Sequence, residues 1–313
     1  MLPSTVLVTG ASRFVGGQLA ARLAADPRID RVIALDATSP RPELSRRQGR
    51  AEFVTVHLRT PLITKVISGA KVDTVVHASR SAIPRVAGGR ARLKERNVIG
   101  TMQLLAACQR STTVTRLVVK STGAVYGTSA HDQAVFTEGD APNDIPASGY
   151  AGDAVEVECY LHRFALRRPD VDVTVLRFAD IIGPRIDTVL SRYFALGLVP
   201  TVLGYDGRLQ LLHEEDALAV LKRATCARLP GVFNVGGDGV LLLSQAIRRA
   251  GAIAVAVPGQ AVGHRRAAAA GRPACRLPTG TDEVSQLRSS ARHDQVAHRV
   301  RIHATVDDRP GLR

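Results

Sequence analysis

An apolar run at Val6-Leu7-Val8 stops at Thr9-Gly10, glycine returns at Gly16, and an apolar helical stripe follows at Val15, Leu19 and Leu23. This pattern predicts a strand, a tight turn and a helix. A turn of that kind aims backbone N–H groups and the positive end of a helix at an anion. Gly10 supplies the positive φ that such a turn needs. Gly16 removes a side chain where helix and strand must approach. An ordinary βα turn can carry the same two glycines, so the next segment decides. Arg31-Val32-Ile33-Ala34-Leu35-Asp36 reads as a second strand ending in an acid, and Asp36 stands 20 residues after Gly16. A dinucleotide fold keeps its acid for the adenosine ribose hydroxyls at about that spacing. The expectation is therefore a nicotinamide-dinucleotide site within the first strand–turn–helix unit.

Strand and helix patterns then alternate, as in a parallel sheet with helices on both faces. Strands are expected at 4–9, 31–36, 52–57, 73–78, 115–120 and 171–178. Helices are expected at 14–25, 61–69, 91–109 and 150–167. Beyond Phe178 the alternation weakens: a helix and a short strand within 185–212, a helix over 214–226, and a strand at Val232–Gly236. The fold class is α/β, a doubly wound parallel Rossmann sheet with a small C-terminal substrate lobe whose completeness the sequence leaves open. The expected division is a dinucleotide-binding domain over 1–178, substrate-lobe segments interleaved with a sheet-packing helix over 179–258, and a tail over 259–313. From Gln260 to Arg313 there is no Phe, Tyr, Trp, Lys or Met, and no apolar period lasts two turns. Such a segment buries too little surface to offset its ordering entropy, so disorder is expected there. The same composition also resembles out-of-frame translation of a GC-rich gene.

Charge narrows the function classes. The formal net charge is +14, with 42 basic residues against 28 acidic ones. Only Lys65, Lys71, Lys94, Lys120 and Lys222 are lysines; the rest are arginines spread along the chain. Nucleic-acid binding needs a gathered basic face, so it is not expected. An anionic small molecule is a better use of the charge. No apolar run of about 18 residues is present, so no membrane span is expected. The first strand starts near Met1, leaving no room for a signal peptide. Cys108, Cys159, Cys226 and Cys275 lack metal-ligand spacing and read as reduced thiols of a cytoplasmic protein.

Further short motifs share one order with these elements: His77-Ala78, Asn97-Val98 with Gly100-Thr101, Ser121-Thr122 with Val125-Tyr126-Gly127, Tyr150, Leu176-Arg177-Phe178 with Gly183-Pro184, His213 with Asp216, and Phe233-Asn234-Val235-Gly236. Over residues 4–250 the chain resembles the extended short-chain dehydrogenases/reductases, in particular NAD-dependent epimerases and dehydratases of nucleotide sugars. The resemblance implies NAD as cofactor and a nucleotide sugar or similar hydroxylated substrate. It leaves open a homodimer, and equally a catalytically weak NAD-binding sensor. By position it implies cofactor contacts from Gly10, Ser12, Arg13, Phe14, Val15, Gly16, Asp36, Ala78 and Asn97. Asn97 could equally be a helix-surface residue.

The same resemblance implies a catalytic set of a Ser or Thr, a Tyr, and a Lys four residues after the Tyr. Thr122 is the hydroxyl and Tyr150 the acid/base. Position 154 shares the helical face of Tyr150, but it is Ala154, so the lysine is missing. Lys120 shares a strand face with Thr122 by alternation, although a solvated or ion-paired lysine is the simpler reading. Arg13-Phe14 interrupts the usual glycine loop, His57 replaces an acid after the third strand, and Asp180 stands where an Asn often meets substrate. Arg80, Arg85, Arg90 and Arg92 form a basic stretch open to phosphate contact. His77 reads as a core histidine, and His213 and Asp216 as helix-starting residues.

Overall fold

The structure is a computed structural model, and it describes residues 2–40, 49–79, 89–127, 135–140, 146 and 149–258. Its centre is a seven-stranded parallel sheet. β1 (Thr5–Thr9), β2 (Arg31–Asp36), β3 (Glu52–Thr55), β4 (Thr74–His77), β5 (Arg116–Thr122), β6 (Asp172–Phe178) and a late strand, Gly231–Val235, are arranged in space with the late strand beside β6, followed by β5, β4, β1, β2 and β3. The order reverses between β1 and β4. In an open α/β sheet the crevice beyond the carboxyl ends of the strands at that point is where ligands bind.

Both faces of the sheet are covered, which is why its strands read as short, almost purely apolar runs. On one face α1 (Phe14–Ala24) packs Leu19, Ala20 and Leu23 against Val6, Val8 and Val118. On the other, α2 (Leu62–Gly69) contributes Ile63 and Ile67. Beside it lies a long helical stretch made of α3 (Gly89–Lys94), a π-helical turn over Glu95–Ile99, and α4 (Gly100–Arg110). The sequence predicts one regular helix over 91–109; the structure carries a wide i→i+5 turn in its middle, which offsets the buried stripe so that Leu93 and Val98 stand five residues apart. α5 (Gly149–Arg167) completes that face with Val157, Leu161 and Phe164.

After β6 come β7 (Asp180–Ile182), α6 (Val189–Phe194), β8 (Leu198–Val202), β9 (Arg208–Leu209), β10 (Leu211–His213) and α7 (Glu214–Cys226), then β11, the late strand of the sheet. β12 (Leu241–Leu242), α8 (Leu243–Arg249) and β13 (Ile253–Val257) follow. α7 returns to the sheet beside α1, burying Ala217, Leu218 and Leu221. β7, β12, α8 and β13 are absent from the sequence reading: they are short, and β13 exposes four of its five residues, so no buried period marks it. The tail over 259–313, with Cys275, lies outside the described residues. Cys108 and Cys226 are free thiols. Burial pushes the Cys108 thiol up to about 12, so it is an inert core residue.

Candidate active site

The glycine turn is built by close approach of three backbones. Gly10 ends β1 at φ 77°, and a Cβ there would sit 2.6 Å from the Ser79 Cα and 2.9 Å from the carbonyl carbon of Ala78. Gly16, in the first turn of α1, would drive a Cβ to 2.4 Å from the Gly10 carbonyl oxygen. The Arg13 N–H donates to that oxygen at 3.1 Å, closing the turn. Arg13 is the N-cap of α1 and its side chain makes no capping bond. The first-turn N–H groups at Phe14, Val15 and Gly16 are thus left for another acceptor. This cradle fits a pyrophosphate: backbone donors, a helix N-terminus, and glycines where bulk would intrude. Gly10→Ala is expected to cost about 2–4 kcal/mol in chemical denaturation, combining backbone strain with overpacking. Gly69→Ala, with nothing within 4 Å of its Cβ, is expected to stay within about 1 kcal/mol.

Asp36 ends β2 beside this turn. Its carboxylate accepts from the Ser12 N–H at 3.1 Å, the Ser12 hydroxyl at 2.6 Å and the Ala37 N–H at 2.7 Å. A carboxylate offers about four acceptor positions. A vicinal diol therefore fits by taking the remaining position and that of the Ser12 hydroxyl. Ala78 follows β4 and is buried. Phe14 lies beneath the Arg185 guanidinium, 5.2 Å from its ring centroid.

Asn97 is buried within the π-helical turn, not on the helix surface, and its carbonyl accepts from Thr101 at 2.6 Å. Thr101 also contacts His77 Nε2 at 2.8 Å, and His77 Nδ1 contacts Thr9 at 2.8 Å. His77 is thereby a satisfied core histidine, as the sequence predicts. His213 accepts from the Glu215 N–H at 3.3 Å and starts α7, also as expected. Arg90 is not held out for phosphate: it pairs with the buried Asp153 and donates to the Gly149 carbonyl. Arg92 is exposed, and Arg80 and Arg85 lie outside the described residues. His57 is exposed after β3.

Thr122 closes β5. Its hydroxyl accepts from the Ala124 N–H at 3.2 Å and caps a single 3₁₀ turn over Gly123–Tyr126, leaving its proton available to a ligand oxygen. Tyr150 is the second residue of α5 and half-buried. α5 reaches Thr122 through an apolar cluster of Val125, Tyr126, Ala154, Val155 and Cys159. Ala154, one turn below Tyr150, is fully buried in that cluster.

Beneath the site lies a charged network that sequence reasoning missed. Arg177 donates to Glu158 at 2.8 and 3.1 Å and to the Tyr126 hydroxyl at 2.8 Å, and Ser121 also donates to Glu158. Tyr126 donates to Asn234 at 2.8 Å, and the Arg177 guanidinium stands 5.0 Å from the Tyr126 ring centroid. Arg177 and Glu158 are both buried. The network joins β5, β6, α5 and β11 under Thr122. Burial pushes the Tyr126 pKa up, against the pull of Arg177. The missed signal was Glu158 itself, a charge in phase with the buried stripe of α5.

Similarity to known proteins converges on one group. The family model described as NAD dependent epimerase/dehydratase matches residues 6–236. An uncharacterised protein of Mycobacterium tuberculosis is 55% identical over 257 residues, covering 82% of this chain and 68% of that one. A UDP-glucose 4-epimerase of Mycolicibacterium smegmatis is 31% identical over 186 residues, covering 58% and 57%. Among solved structures, a UDP-glucose 4-epimerase of Thermotoga maritima with UDP-glucose matches with TM-score 0.65 and 22% identity, covering 81% of this chain and 86% of that one. A dTDP-glucose 4,6-dehydratase of Streptomyces venezuelae with NAD matches with TM-score 0.66 and 24% identity, covering 81% and 84%. At these identities the structural likeness is one of fold.

Proposed function

Because the chain belongs to the NAD dependent epimerase/dehydratase family, we propose that it binds NAD and oxidises and re-reduces a hydroxylated sugar carried on a nucleotide, at a reduced rate. The observation that carries this reading is the convergence of the Gly10–Gly16 cradle, Asp36 and Thr122 on the carboxyl ends of β1, β2 and β5, with Tyr150 in the first turn of α5. NAD, when bound, supplies a reversible hydride acceptor. The chain's own residues do the rest. First-turn N–H groups of α1 take the pyrophosphate, and Asp36 takes the adenosine ribose hydroxyls. Thr122 donates to the sugar oxygen and Tyr150 exchanges its proton. Among the described residues no group of three or more His, Cys, Asp or Glu could hold a metal, and no helix is long and apolar enough to cross a membrane.

One observation favours a second reading, an NAD-binding protein with little catalysis. The helical position that should carry the lysine is Ala154, wholly enclosed by apolar neighbours. The intact Thr122, Tyr150 and Asp36 favour the enzyme.

Cofactor choice tests the proposal. Asp36 repels a 2′-phosphate, so NAD is expected to bind at least about tenfold more tightly than NADP in calorimetric titration. Asp36→Asn keeps the shape, removes the charge, and is expected to narrow that ratio. Tighter binding of NADP by the unmodified chain would contradict this assignment.

A further inference from the structure

We infer that Lys120 is the active-site cation of this chain, placed on the sheet beside Thr122 rather than on the helix below Tyr150, with Asp180 as its counter-ion. The inference rests on the proposed NAD-dependent function and deepens it. Lys120 and Thr122 stand two residues apart on β5 and point to the same face, away from Ser121 and its Glu158 bond. Lys120 pairs in register with Leu176, and Thr122 with Phe178. The Lys120 ammonium sits 5.8 Å from the Phe178 ring centroid, over its face. Asp180 opens β7 two residues beyond Phe178. Solvent reaches Asp180, yet the protein around its carboxyl raises the pKa, and the Lys120 charge acts against that rise. A cation and a carboxylate thus share the end of β5 and β6 where Thr122 presents its hydroxyl.

This placement has a chemical use. As the substrate hydroxyl gives its proton to Tyr150, its oxygen gains negative charge before the carbonyl forms. A positive charge beside Thr122 stabilises that oxygen more than it stabilises the neutral hydroxyl. A lysine at position 154 would supply charge from the helix side; Lys120 supplies it from the strand side. Among the described residues, three nearby carboxylates have partners of their own. Glu158 is held by Arg177 on the opposite face of the sheet, Asp153 by Arg90, and Glu214, at the end of β10 against β7, by Arg185. His213 caps α7.

The test uses the full chain and three variants: Lys120→Met, Lys120→Arg, and Lys120→Met combined with Ala154→Lys. The first readout needs no cofactor. The Asp180 carboxyl, assigned in carbon-detected NMR through Asp180→Asn, is expected to titrate about half a unit or more higher in Lys120→Met. The second is single-turnover hydride transfer with NAD and UDP-glucose. It is expected to fall about tenfold to a hundredfold in Lys120→Met, to be largely kept in Lys120→Arg, and to return to about the unmodified rate or above it in the double variant. NAD affinity by calorimetry is expected to change less than about threefold, so a loss of rate is not a loss of cofactor. An unmoved Asp180 titration overturns the pairing, whether or not NAD binds. An unchanged rate in a folded, NAD-binding Lys120→Met overturns the catalytic role. Failure of the unmodified chain to bind NAD would instead overturn the proposed function itself.

Discussion

Replacing Ala154 with lysine is expected to raise turnover about tenfold to a thousandfold and to move the pH optimum toward neutrality. A free tyrosine titrates near about 10, and an adjacent cation lowers an acid's pKa by roughly 1–3 units. Each unit lost cuts the phenolate present near neutral pH by about tenfold. Without the lysine, the chain should turn over slowly, with an alkaline optimum. Ala154 is buried against Val125, Tyr126 and Val155, so the gain comes with a cost. A lysine stem must push that cluster apart while its ammonium reaches for the site, at about 1–3 kcal/mol of stability. Steady-state rates across pH, alongside denaturation, separate the two effects. If rate and optimum both stay put in a protein that binds NAD, and Ala154→Lys changes neither of them in the Lys120→Met background, Tyr150 is not the base, and the binding-protein reading becomes the better one.

Glu158→Gln is expected to be the most destabilising single change in the site. Glu158 accepts from Arg177 twice and from Ser121, with both charged partners buried. Removing one partner of a buried ion pair leaves an uncompensated charge in low dielectric, at about 3–5 kcal/mol. Replacing both Glu158 and Arg177 with Met should cost less than the sum of the single changes, because no charge is then stranded. Chemical denaturation of Glu158→Met, Arg177→Met and the double variant closes the cycle. Additive losses would show that the pair is not coupled.

The contrast between Gly16 and Glu158 shows what this sequence makes legible. Gly10, Gly16 and Asp36 are local: their spacing along one strand–turn–helix–strand unit carries their geometry, so the cradle could be read before any fold was known. The buried sheet was legible for the same reason, since Val75, Val76 and Leu117 belong to short apolar runs with one structural meaning. Glu158 and Arg177 lie 19 residues apart on different elements, and no local pattern says that they meet. Arg90 looks like a solvated or phosphate-facing arginine in sequence for the same reason: its partner Asp153 lies 63 residues on. The π-helical turn at Glu95–Ile99 was hard to see because it offsets the buried stripe only once, between Leu93 and Val98, and a single offset does not stand out from the scatter of a helical pattern. Beyond Phe178 the elements shorten to two to seven residues, α7 apart, with β8 and β13 exposing Leu198, Ile253 and Val255. Short exposed elements carry little periodicity, which is why β7, α8 and β13 escaped the reading.

The most direct test of the account is the absorbance of reduced nicotinamide on mixing the NAD-loaded chain with UDP-glucose or dTDP-glucose across pH. The account predicts a slow rise of that band, faster at alkaline pH and faster still in Ala154→Lys. A chain that binds NAD yet shows no reduced nicotinamide at any pH with either sugar, in both the unmodified protein and Ala154→Lys, would contradict it.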